Sequence, residues 1–132
     1  MKIALCLMLM AFGPLSKSMW AHHSFQAEYD RNQVVKLKGE VKLLEWMNPH
    51  ARLYVEVKDD QGHITTWNCE LGSPNILRRM GWTKEALHPG DVITVEGYRA
   101  KDGSNMANAR KITMADGTQV FAGSSGDAGA GR

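Results

Sequence analysis

Between residues 34 and 46 the chain reads "VVKLKGEVKLLEW", and its apolar residues recur at every second position. Val35, Leu37, Val41 and Leu43 share one parity, while Lys36, Lys38, Glu40 and Lys42 share the other. Successive side chains of a strand point to opposite faces, so this pattern predicts a long strand with one covered face. Gly39 falls on the covered face, where a bare backbone lets a strand coil sharply. After Leu43 the parity inverts at Leu44 and Trp46, which predicts a bulge or a strand covered on both sides. The alternation returns in "ARLYVEVKD", with Leu53, Val55 and Val57 inward. A turn at "DDQG" then leads into "HITTWNCEL", where Trp67, Cys69 and Leu71 share a parity.

The period changes next. Ser73 is placed to cap a helix that opens on Pro74, carries Ile76, Leu77 and Met80 as its apolar side, and stops at Gly81. Trp82 is expected to anchor that helix, and Thr83 to cap the short turn "KEAL". Strands resume in "VITVEGYRA", with Ile93 and Val95 inward, and continue through "NARKITM" to "TQVF". Three strands, a helix, then two or three strands is the element order of an OB-fold, a small Greek-key barrel. The expected fold is all-β: an OB-like, five- to six-stranded antiparallel barrel with one short helix between strands three and four. An open antiparallel sandwich is the alternative.

The ends of the chain differ from this middle. Met1 and Lys2 precede ten apolar residues, Ile3 to Phe12, and Gly13 and Pro14 break the run. Ten residues are half of what a bilayer-spanning helix needs, about 20. A charged start, a short apolar run and a small residue at Ala21 are the layout of a secretory signal peptide cut after Ala21. The expected organisation is a signal peptide at residues 1–21, a leader at 22–32, the barrel at 33–121 and a loose Gly/Ser/Ala-rich tail at 122–132. Losing the signal peptide takes Lys2 and Lys17 with it, so 16 basic residues fall to 14 and equal the 14 acidic ones. A neutral domain offers no electrostatic reason to bind nucleic acid. Cys6 leaves as well, so the mature chain keeps Cys69 alone and has no internal disulfide. Shared parity with Trp67 and Leu71 makes Cys69 a core thiol.

Several motifs resemble, as a set, a family of small secreted bacterial proteins classed as a domain of unknown function. They are "AHHSF", "EWMNPHARLYVEV", "GSPNILRRMGW", "LHPGDVITVEGYRAKDGSNMANARKI" and "FAGSSG", spread from His22 to Gly126. The resemblance implies a secreted, OB-like domain and supplies no activity.

No nucleophile, base and acid fall into a recognisable catalytic pattern, and Glu45, Glu56 and Glu70 sit on separate predicted strands. The histidines carry sharper chemistry. A cut after Ala21 gives His22 both a free amine and an imidazole, a chelate suited to Cu(II) or Ni(II). His23 or His50 would add a third nitrogen, making copper the candidate ion and these three the candidate ligands. The competing account has His22 and His23 in a solvated, frayed terminus, with Asn48 and His50 satisfying backbone groups at the "NPH" corner. Trp46, Asn48 and Tyr54 are the candidate ligand-binding residues of a non-metal alternative. In that alternative an OB-type face binds an extended ligand or an envelope protein. His63 and His88 read as surface loop residues. The expected protein is a periplasmic or secreted, monomeric accessory or binding protein, not an enzyme, with no membrane span in its mature chain.

Overall fold

A computed structural model describes residues 25–123. The expected signal peptide, His22, His23 and the segment 124–132 lie outside the described residues. The described chain is mostly strand: β1 (Tyr29–Glu45), β2 (Arg52–Lys58), β3 (Ile64–Glu70), the helix α1 (Pro74–Arg79), β4 (Val92–Ala100), β5 (Met106–Met114) and β6 (Gln119–Phe121). They form a six-stranded sheet in the order β3-β2-β1-β4-β5-β6, antiparallel between each of these neighbours. One further pairing is parallel. Asn68, Cys69 and Glu70 of β3 pair with Met106, Ala107 and Asn108 of β5, so the pairings among the first five strands return on themselves. Alternation within single strands carries no information about this long-range contact.

The 17 residues of β1 serve two neighbours. Its earlier part pairs with β4, placing Leu37 opposite Val95 and Gly39 opposite Ile93. Its later part pairs with β2, placing Val41 opposite Val55 and Leu44 opposite Leu53. The strand changes partners near Gly39, where a Cβ would overlap the carbonyl of Glu56. The bare backbone expected there is therefore a condition of strand approach. The bulge comes earlier than the alternation alone indicates. The register shifts between Val41 and Leu43, so Leu43 is turned out, 45% exposed, and Leu44 packs against the core instead. The expected inward Leu43 is corrected by this extra residue.

The core collects Leu53, Val55, Cys69, Val95 and Ile112 from the strands, with Leu77 from α1. Each large aliphatic side chain fully buried there contributes about 1.5–3 kcal/mol. The Ser73 hydroxyl accepts from the Ile76 N–H at 3.3 Å, capping α1, and Gly81 takes a positive φ of 90° just beyond it. Only Leu77 of the expected apolar side is buried, while Ile76 and Met80 stay exposed. Trp82 is buried and donates its indole N–H to the Phe121 carbonyl at 3.1 Å, tying the helix end to β6.

The segment before Gln33 is part of this structure. Residues 25–28 are helical, β1 already begins at Tyr29, and Phe25 and Tyr29 are each only 2% exposed. Their rings stack with centroids 5.7 Å apart, and Phe25 meets Tyr98 edge-on at the same separation. The Lys101 N–H donates to the Glu28 carbonyl at 2.9 Å, pinning the turn to the end of β4. At the other end Ala122 is fully buried, its carbonyl accepting from the Gly72 N–H at 2.8 Å. No helix among the described residues is long and apolar enough to cross a membrane.

Candidate functional site

Strand register sets Arg52 of β2, Glu70 of β3, Asn108 of β5 and Tyr98 of β4 side by side in one lateral row. Their parity is opposite to that of Leu53, Cys69 and Ala107, so simple alternation would leave them exposed. Instead Glu70 is 5% exposed and Asn108 is fully buried, because Phe25 and Tyr29 pack over this end of the sheet. The carboxylate is well supplied with donors. Tyr29 donates its hydroxyl to Glu70 Oε2 at 3.1 Å, and Asn108 donates its amide to Oε1 at 3.4 Å. Arg52 Nη2 stands 3.3 Å from Oε2, completing a buried ion pair. Burial and the neighbouring Glu70 charge together push the Tyr29 hydroxyl pKa well above its ordinary value.

His50 borders this cluster. Its Nε2 lies 4.0 Å from Glu70 Oε1, longer than a hydrogen bond. Its Nδ1 is buried and has no hydrogen-bond partner, and Arg52 Nη1 is in the same condition. Buried polar atoms are nearly always satisfied, so two orphans beside one carboxylate mark this place.

The other predicted site residues do not gather around it. Asn48 is exposed and precedes a cis peptide bond to Pro49. Trp46 is half-buried against the core, with the Arg78 guanidinium 5.8 Å over its ring. Tyr54 is half-buried and donates to Glu45 Oε2 at 3.1 Å, and desolvation with that hydrogen bond raises its pKa. His63 and His88 are exposed in turns, their rings beside Asp59 at 3.1 Å and Asp91 at 3.8 Å. Among the described residues no three His, Cys, Asp or Glu side chains stand close enough together to hold a metal ion. His22 and His23 lie outside the described residues, so of the three expected ligands only His50 is placed, beside Glu70.

Sequence reasoning missed Glu70, Arg52, Asn108 and the cover formed by Phe25 and Tyr29. One signal was present: Phe25 and Tyr29 are four residues apart, the spacing of one helical face. The chain matches the family described as "Family of unknown function (DUF6152)" over residues 11–109. It belongs to that family. No curated protein and no solved structure matches it. Membership brings no activity with it.

Proposed function

We propose that this is a periplasmic or secreted binding protein built on an OB-like barrel, whose processed N-terminus and His50 together take up Cu(II). The ring of pairings through β3 and β5, with α1 between β3 and β4, supports the barrel. One observation carries the copper reading: the residues next to the histidine pair are anchored at the His50 cluster. Only Ser24 separates His23 from buried Phe25, which stacks on Tyr29, whose hydroxyl shares Glu70 with His50. An extended residue spans at most about 3.6 Å, so His22 is tethered within roughly 11 Å of Phe25 along the chain. Cleavage after Ala21 then delivers an amine and an imidazole on one residue, which lowers the ordering cost of bringing ligands together. The protein acts by holding the ion or passing it to an envelope partner, not by catalysis.

Titration with Cu(II) at fixed pH tests this on three forms: protein beginning at His22, the same protein with its terminal amine acetylated, and His22→Ala. The first is expected to bind on the order of tenfold more tightly than the others, since each alteration removes a nitrogen from the chelate. Equal affinity in all three would leave the histidines a solvated leader and make a non-metal OB-type binding module the better account.

A further inference from the structure

The outer face of the sheet carries a groove of about 250 Å³ that crosses from β1 to β6. It follows one lateral row, in which register sets Lys36 of β1, Glu96 of β4, Lys111 of β5 and Phe121 of β6 side by side. A bulge shapes it. Glu96 pairs with Lys111 while Gly97 pairs with Ala109, so Arg110 is an extra residue on β5. Neighbouring residues of a regular strand point to opposite faces, yet Arg110 and Lys111 both line this groove. Gly97 leaves bare backbone on its floor, where a Cβ would overlap the Asn108 carbonyl. Val34 on β1 and Phe121 on β6 line its two ends, 70% and 66% exposed, so both have apolar area left to bury.

We infer that this groove docks an extended acidic segment of a partner protein, a carboxylate flanked by two apolar side chains. Charge sets the sign of the partner. Lys36 and Lys111 both pair with the one carboxylate of Glu96, at 3.5 and 3.0 Å, so the row is net positive before Arg110 is counted. Arg110 is directed by Tyr98, whose hydroxyl accepts from Nη1 at 2.7 Å and whose ring centroid lies 5.2 Å from the guanidinium carbon. Length sets the spacing. Adjacent strands lie about 4.8 Å apart, so the steps from β1 through β4 and β5 to β6 make about 14 Å. An extended residue spans about 3.5 Å, so about four residues bridge the two apolar ends. Side chains two apart share a face of an extended chain, which puts apolar groups at its first and fifth positions and the carboxylate at the third. The segment crosses the strands rather than adding to β6, because the Trp82 indole already holds the Phe121 carbonyl. No metal enters this inference, and it stands apart from the copper reading.

The test titrates isotope-labelled protein beginning at His22 with a capped pentapeptide, Leu-Ser-Glu-Ser-Leu, and with the same peptide carrying lysine in place of glutamate. The amide signals of Val34, Tyr98, Lys111 and Phe121 should shift with the glutamate peptide, and the lysine peptide should bind on the order of tenfold more weakly. Lys111→Glu and Phe121→Ser should each weaken the glutamate peptide by a similar factor. Glu96→Gln should tighten it, because a repelling carboxylate is lost and Lys111 is released. Absence of shifts at these signals overturns the inference, and so does equal affinity for the two peptides or a preference for lysine. Variants that bind as the native protein does also overturn it. A dimer in analytical ultracentrifugation that Phe121→Ser dissociates overturns it too, since the groove is then an interface between copies of this chain. If Phe121→Ser fails to fold, the opposite effects expected of Lys111→Glu and Glu96→Gln decide.

Discussion

Cys69 packs between Leu53 of β2 and Ala107 of β5, its strand partners, and is fully buried. Burial in that apolar setting pushes the thiol from its ordinary 9.0 up to about 12. Between those values the folded protein keeps a proton that the unfolded chain gives up. Rising pH therefore favours unfolding in that window, and below pH 9 the thiol contributes no slope. Tyr29, also raised, adds a loss of the same sign above pH 10. Denaturant midpoints measured from pH 8 to 11 should fall, and Cys69→Ala should flatten the part beginning near pH 9 while starting from a lower stability. Native protein should also react only slowly with thiol reagents, since the thiolate is the reactive form. The Glu70 ion pair has a different sensitivity. Arg52→Ala leaves a nearly buried carboxylate without its cation and should cost about 3 kcal/mol in chemical denaturation, far more than an exposed pair such as Lys36–Glu96.

At the scale of elements, β1 shows what alternation conveys and where it stops. Of the expected inward residues, Leu37, Val41, Val55, Trp67, Cys69, Ile93 and Val95 are buried as their parity indicates, while Val35 and Val57 are half-buried against the same core. Leu43 departs because a bulge is fixed by register against β2, a relation between strands that no single strand records. Glu70 was legible as a strand residue but not as a buried one, since its cover comes from residues some forty positions earlier. His50 was legible as a corner residue, and its neighbour Glu70 was not, for the same reason. Two substitutions probe these elements. Gly39→Val should destabilise strongly, because its side chain meets backbone rather than a movable side chain at Glu56. Phe25→Ala should cost about 3 kcal/mol if residues 25–29 are a packed part of the fold. A loss of only a few tenths would return that segment to the status of a leader.

For the molecule as a whole, the strand pairings and the polar cluster depend on each other. β3 supplies Cys69 to the core and Glu70 to the cluster, while β5 meets both through Ala107 and Asn108. Val55→Asp puts an unpaired carboxylate among fully buried side chains, and it should cost several kcal/mol and abolish cooperative unfolding. The central proposal is that the sheet domain and an N-terminus produced by cleavage after Ala21 share one copper site. Substoichiometric Cu(II) added to isotope-labelled protein beginning at His22 tests it most directly, because the paramagnetic ion broadens the resonances nearest to it. The amide signals of His50, Glu70 and Tyr29 should fade first, with the turn carrying His63 left sharp. Broadening centred on His63 or His88, or loss at the terminus with His50 untouched, would contradict the claim.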